Sequence, residues 1–271
     1  ADRPGRVSSL WSEEAGAAEH PLIALVHGSM DRSSGMLKLS RRLDQDFRVL
    51  RYDRRGYGRS VPHDGPFTMD AQVQDLVELL AGRRAVLVGH SFGGNVALAT
   101  AEQYPDLVAG VAVYETPLSW EPWWPASTAG SIAVAEPGTS AGAAERFMRR
   151  MIGDERWEAL PEGTRQARLA EGGVMVAELG DIRRHRPWTA AKIIVPVVVS
   201  FGSEGAPHHR RGMTYAADQL RCPIVELVGC RHDAPLSHPE LFRSQVIDLL
   251  LQRVGPPWHG ELSMARPAPT P

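Results

Sequence analysis

The chain predicts an α/β protein: a mostly parallel central sheet with helices on both faces, interrupted by a helical insertion. Three observations carry this expectation. Short apolar runs suited to buried strands alternate with segments of helical periodicity, as a parallel sheet with crossover helices requires. The stretch Gly89-His90-Ser91-Phe92-Gly93 stands between one such run and a helix and matches G-x-S-x-G. From Pro117 to about Lys192 the strand runs vanish and the text becomes helical and loop-like, before the alternation resumes at Val195.

Taken in order, Leu22-Ile23-Ala24-Leu25-Val26 reads as a buried strand ending in His27-Gly28, and a helical segment follows from about Ser34 to Leu43. Arg48–Tyr52 is the next strand and opens into the glycine-punctuated loop Asp53–Ser60. Thr68 caps a helix through Leu80, with Val73, Leu76, Val77 and Leu80 on one face. Arg84–Val88 is the strand before the G-x-S-x-G turn, Gly94–Ala101 the helix after it, and Val108–Tyr114 a strand ending at Glu115. Within the insertion, Ala126–Ala144 is rich in Ala, Gly, Ser, Thr and Pro and reads as a mobile lid edge. Helical patterns follow at Glu145–Ile152 and Thr164–Leu179. Then come a strand at Val195–Phe201, a helix at Arg211–Leu220, a strand at Pro223–Val228 and a final helix from Pro239 to Arg253. Residues 255–271 are proline-rich and are expected to form a flexible tail.

At 271 residues, the length suits one α/β domain carrying an insertion. The apolar fraction is 43%, yet no segment approaches the ~20 consecutive apolar residues of a membrane span. A net charge of −2, with arginine pairs scattered and balanced by carboxylates, offers no electrostatic case for nucleic acid. Cys222 and Cys230 bracket an extended segment of roughly 26 Å, far beyond disulfide reach. Two reduced thiols and an N-terminus without the layout of a secretory signal suggest the cytoplasm. His208-His209 are adjacent in a polar loop and His185 is isolated, so neither metal nor cofactor is expected; a small-molecule substrate is the expected partner. Nothing in the sequence bears on the oligomeric state.

A serine flanked by glycines at both i−2 and i+2, between strand and helix, is the pattern of a nucleophile elbow. The turn is tight enough to hold the serine in a strained conformation, and side chains at the flanking positions would clash with strand or helix. The serine hydroxyl then projects from the carboxyl edge of the sheet, with free helix N–H groups behind it.

With His27-Gly28-Ser29 after one strand, Tyr52–Ser60 after the next, Gly89–Gly94 at the elbow and Gly229-Cys230-Arg231-His232 after the last strand, the chain resembles the α/β-hydrolase superfamily over nearly its whole length. The likeness is greatest to the esterase and epoxide-hydrolase-like branch. It implies an α/β-hydrolase fold with a core at residues 1–116 and 193–254, and a cap or lid at 117–192. A serine at position 91 argues against the dehalogenase and epoxide hydrolase branches, which carry aspartate there.

A serine hydroxyl needs a base. Of the ten histidines, His232 alone lies in the loop between the last strand and the last helix, where the resemblance puts the base. His27 is expected to brace the oxyanion loop, His90 to point away from the reaction side and His238 to open the final helix. The oxyanion donors are expected to be the backbone N–H groups of Phe92 and Ser29, with Met30 as the alternative to Ser29. The third triad member is open. The family's usual aspartate, three residues past a glycine in the loop after the post-cap strand, is Gly205 here. Glu115, at a buried strand end where an unpaired carboxylate is costly, is preferred; Glu204 is the alternative, and Asp233 adjoins the histidine. Asp53 is expected to brace its own loop by accepting backbone N–H groups, with Arg54 and Arg55 structural or on the surface.

Five of the seven tryptophans lie in the insertion, Trp120, Trp123, Trp124 and Trp188 among them. The first three are expected as an aromatic pocket wall, or else as anchors holding the cap on the core. The reading that results is a serine hydrolase cleaving an ester or thioester of a small to medium apolar substrate by two-step acyl transfer through Ser91. Carbon–carbon bond hydrolysis or a cyclising thioesterase on the same triad, a ligand-binding protein without turnover, and an interaction protein docking through Trp120–Trp124 are the alternatives.

Overall fold

The computed structural model describes residues 10–255. Seven strands form one sheet in the order β1-β3-β2-β4-β5-β6-β7. They are β1 (Ser12–Ala15), β2 (Leu22–Val26), β3 (Arg48–Tyr52), β4 (Ala85–His90), β5 (Val108–Tyr114), β6 (Val197–Gly202) and β7 (Ile224–Leu227). All neighbours run parallel except β1, which pairs antiparallel with β3. The sequence does not announce β1. It is a four-residue polar edge strand, Ser-Glu-Glu-Ala, held by its ladder and by ion pairs from Glu13 to Arg51 and Glu14 to Arg48.

The pleat divides the core. Leu22, Ala24 and Val26 join one apolar cluster, and Ile23 and Leu25 join the other. Helices α2 (Met69–Leu80) and α3 (Phe92–Gln103) cover the first face; α1 (Leu37–Leu43) and the C-terminal helices cover the second. Thr68 caps α2, its side chain accepting the Ala71 N–H at 3.4 Å. Helix α1 starts later than its periodicity predicts, because Ser33 is tied to Asp53 through both its N–H (2.8 Å) and its hydroxyl (2.5 Å).

Between β5 and β6 the chain forms five α-helices, a 3-10 turn at Ala190–Lys192 and no strand; the helices are α4 (Ala129–Ala135), α5 (Ser140–Ile152), α6 (Asp154–Glu158), α7 (Glu162–Ala170) and α8 (Gly172–Arg184). The stretch 126–144, read as a lid edge, contains the starts of two helices: Thr128 and Thr139 cap α4 and α5 within it. The single helix expected from Thr164 to Leu179 is two, meeting at Glu171, whose carboxylate turns to Arg32 (2.6 Å) and Gly58 N (2.9 Å). Helix α9 (Pro207–Leu220) begins before the expected Arg211, so His208 and His209 lie in its first turn and not in a loop. The final helical segment comprises α10 (Ala234–Ser237), α11 (Pro239–Phe242), a π turn at Arg243–Ile247 and α12 (Asp248–Val254).

No helix among the described residues is long and apolar enough to cross a membrane. The expected tail lies outside the described residues except for Gly255. Because β3 and β4 flank β2 on opposite sides, the chain reverses direction across the sheet between β2 and β4. In open parallel sheets, that switch point at the carboxyl ends is where ligands bind.

Candidate active site

Ser91 follows β4 at this switch point with φ 53° and ψ −125°, outside the regions open to ordinary residues. Its N–H is held by Tyr114 O at 2.8 Å. The flanking glycines are sterically required: a Cβ on Gly93 would lie 2.2 Å from Val26 O, and one on Gly89 would lie 2.5 Å from Gly94 Cα. The neighbouring strand ends bring the remaining groups. Glu115, directly after β5, also has a positive φ of 46° and is fully buried. Its N–H donates to Ser200 O (3.0 Å) on β6, and its Oε1 accepts Gly202 N–H (2.9 Å).

Glu115 Oε2 lies 2.6 Å from His232 Nδ1. A carboxylate can only accept, so Nδ1 carries the proton and Nε2 is the free basic nitrogen. Burial pushes His232 below the usual imidazole range, although the Glu115 hydrogen bond works against the shift. Burial would raise Glu115, but the His209 and His232 imidazoles beside it outweigh that and hold the carboxyl well below its usual range. Three anchors fix the loop bearing His232: Tyr114 OH to Arg231 O (2.6 Å), His90 Nε2–H to His232 O (2.8 Å) and Gly229 N–H to Ser203 Oγ (2.8 Å). His90 therefore faces away from the cavity but supports the base's backbone, and burial takes its pKa down to about 4. Glu204 pairs instead with exposed Arg231 at 3.3 Å. Asp233 precedes α10, where its carbonyl accepts Leu236 N–H and Ser237 N–H.

His209 is the group that sequence reasoning missed. Its Nδ1 also lies 2.6 Å from Glu115 Oε2, but its N–H direction misses the oxygen, so this is a close contact and not a hydrogen bond. Its ring stacks on His232 with centroids 4.7 Å apart and planes inclined by 22°. Only the extra turn at the start of α9 brings it there. The ligand-capable atoms of Glu115, His209 and His232 all fall within 4.8 Å of one another, a donor set that spacing along the chain does not reveal. Both imidazoles already converge on the same carboxylate oxygen.

The loop after β2 is tied to the insertion. Ser29 Oγ donates to Glu178 Oε1 on α8 (2.6 Å). The fully buried Glu178 also accepts from Arg54 (2.7 Å), Tyr57 OH (2.7 Å) and Gln72 (3.1 Å). Arg54, expected to be structural or on the surface, is 1% exposed and reaches His27 O and Gly28 O as well. His27 donates from Nδ1 to Gly28 O (2.8 Å) and accepts Arg54 N–H at Nε2 (2.9 Å), so it braces this loop. Asp53 accepts the N–H groups of Ser33 and Arg59 and braces its own.

Ser29, Ser91, Phe92, Glu115 and His232 all line one cavity of about 430 Å³; Met30 is buried, with a φ of 58°, and is not part of that lining. Trp124 lines the cavity, but Trp120 and Trp123 do not: Trp120 packs edge-on against Trp188, and Trp123 against Tyr215 and under Arg211. Trp188 donates its indole N–H to Asn95 Oδ1 (2.8 Å) on α3, joining insertion to core. Cys222 and Cys230 are both free thiols.

The chain matches the model of the alpha/beta hydrolase family over residues 23–245. It is similar to a thermophilic esterase of Thermogutta terrifontis, at 25% identity and a TM-score of 0.69, over 90% of this chain and 93% of that one. It is likewise similar to the enol-lactonase of Burkholderia xenovorans LB400, at 26% identity and a TM-score of 0.66, over 89% and 96%. Among curated proteins it is 31% identical to mouse (Mus musculus) epoxide hydrolase 4 over 108 residues, covering 38% of this chain and 30% of that protein. Such curated matches span about a third of the relatives' own length or less. Taken with the sheet order and the elbow, the family match over most of its length shows that this chain belongs to the alpha/beta hydrolase family.

Proposed function

We propose that the chain is a serine hydrolase that cleaves carboxylic esters by two-step acyl transfer. Ser91 Oγ attacks the ester carbonyl while Nε2 of His232 takes its proton. Glu115 fixes the Nδ1–H tautomer and stabilises the imidazolium that forms. The backbone N–H groups of Phe92 and Ser29 receive the tetrahedral oxyanion. The imidazolium protonates the departing alcohol, and water deprotonated by the same His232 then releases the acid. Residues 117–192 act as the cap that roofs the reaction.

The single observation behind this reading is the 2.6 Å contact between Glu115 and His232 in the cavity that Ser91 also lines. Ester cleavage is further supported by the named activities of the Thermogutta esterase and the Burkholderia enol-lactonase, a lactone being a cyclic ester. The test is hydrolysis of p-nitrophenyl esters of rising acyl length, with labelling by a serine-directed phosphonate. Wild type should turn over and label at Ser91, Ser91→Ala should do neither, and Glu115→Gln should lose far more activity than Glu204→Gln. A wild type that neither hydrolyses esters nor labels would remove the reading.

A further inference from the structure

We propose that the cavity above Ser91 takes esters bearing a carboxylate, held by Arg183 and Arg150 of the insertion. This rests on the serine-hydrolase reading and adds the substrate class to it. Both arginines line the cavity, Arg150 from α5 and Arg183 from α8. Neither has a carboxylate within 4.0 Å among the described residues, whereas Arg146 and Arg149 on the same α5 are both paired with acids.

Arg183 is half-buried and spends its hydrogen bonds on neutral acceptors, Leu179 O (2.7 Å) and Ser131 Oγ (3.0 Å). Two of its five N–H groups are thereby used, leaving donors for a ligand. Burial with no nearby acid lowers its pKa to about 10, which still leaves it charged at neutral pH. Arg150, which is exposed, is tied among the described residues to a carbonyl, Ser127 O at 2.8 Å.

The cavity's own acids are committed elsewhere. Glu115 is taken up by two imidazoles, and Glu204 is paired with Arg231. What remains in the same cavity as the nucleophile is a pair of arginines without an acid among the described residues, Arg183 half-buried and Arg150 exposed. A half-buried unpaired cation costs free energy that a bound anion recovers, and a planar carboxylate matches the guanidinium fork. The apolar side chains Phe147, Met151 and Leu179 share the lining, so an aliphatic segment joining ester and carboxylate has surface to pack on. An apolar substrate, expected from the sequence, leaves the two arginines unanswered.

The experiment compares p-nitrophenyl hemiesters of succinate, glutarate and adipate with the neutral valerate ester and the cationic 4-aminobutyrate ester. The best hemiester should exceed valerate in kcat/KM by about 10- to 100-fold, the worth of a charge-assisted hydrogen bond. Arg183→Gln should lower that ratio about tenfold, through KM, and Arg150→Gln should lower it less. Arg165→Gln, removing an arginine paired to Glu158 and Glu162 outside the cavity lining, should keep the ratio. Calorimetry of glutarate on Ser91→Ala, with and without Arg183→Gln, reads the anion site without catalysis. Glutarate binding that Arg183→Gln removes would support the proposal even where no ester is turned over; such a result would count against the nucleophile alone. A valerate or aminobutyrate ester turned over as well as every hemiester, or glutarate binding indifferent to Arg183→Gln, would overturn it.

Discussion

The buried pair Arg54–Glu178 joins core to insertion, and its removal gives a quantitative test of how the two halves are held. The two side chains are 1% and 0% exposed and meet at 2.7 Å. Glu178 also receives Tyr57, Gln72 and Ser29, the last on the proposed oxyanion loop. Glu178→Leu strands the Arg54 guanidinium in a dry site and leaves two hydroxyl groups and an amide without their acceptor. Breaking one side of a buried pair costs about 3–5 kcal/mol, which for a domain of this size lowers Tm by about 6–20 °C. Arg54→Met should cost a similar amount. The double variant should lose less than the two singles summed, by about 2 kcal/mol or more, because neither charge is then left alone. Urea unfolding of the four proteins at a common m-value measures this. Additive losses, or a Glu178→Leu variant within about 0.5 kcal/mol of wild type, would refute the assignment of the network as the joint between core and insertion.

Further outcomes can be checked alongside. The acid limb of the kcat/KM profile should have its midpoint below the usual imidazole value of about 6.5, since burial lowers His232 and the neutral form is the base. Glu115→Gln should move that limb further toward acid while lowering kcat, because the mutation removes the partner that raises the His232 pKa; a shift toward alkali would contradict the tautomer assignment. Gly93→Ala should fold poorly or unfold at markedly lower urea, by at least about 1–3 kcal/mol, because its Cβ would lie 2.2 Å from Val26 O. His209→Ala should alter the pH profile more than His208→Ala, since only the His209 ring both stacks on His232 and touches Glu115; equal profiles in titrated kinetics would place both histidines outside the reaction.

The order of strands and the elbow were legible in the linear text because they rest on local rules. The buried strands β2 to β6 are runs of five to seven residues, and glycines stand where any side chain would hit backbone. Edges obey no such rule. Strand β1 is polar and is recruited by its ladder, and α9 gains a turn at its start because Pro207 suits the first helical position.

By itself, then, the sequence determined the alternating α/β plan, the strained serine at the carboxyl edge and the histidine loop after the last strand, each a matter of neighbours within a few residues. The tertiary structure alone decided what crosses between elements. The candidate acid depends on which strand end lies beside His232, and Glu115, after β5, meets the loop after β7 across the end of β6, the strand that pairs with both. The same holds for the Arg54–Glu178 joint, 124 residues apart, and for two arginines of the insertion that share a cavity with Ser91 and have no acid partner among the described residues. Their partners are set by packing, and no spacing along the chain encodes the distance between surfaces that meet only on folding.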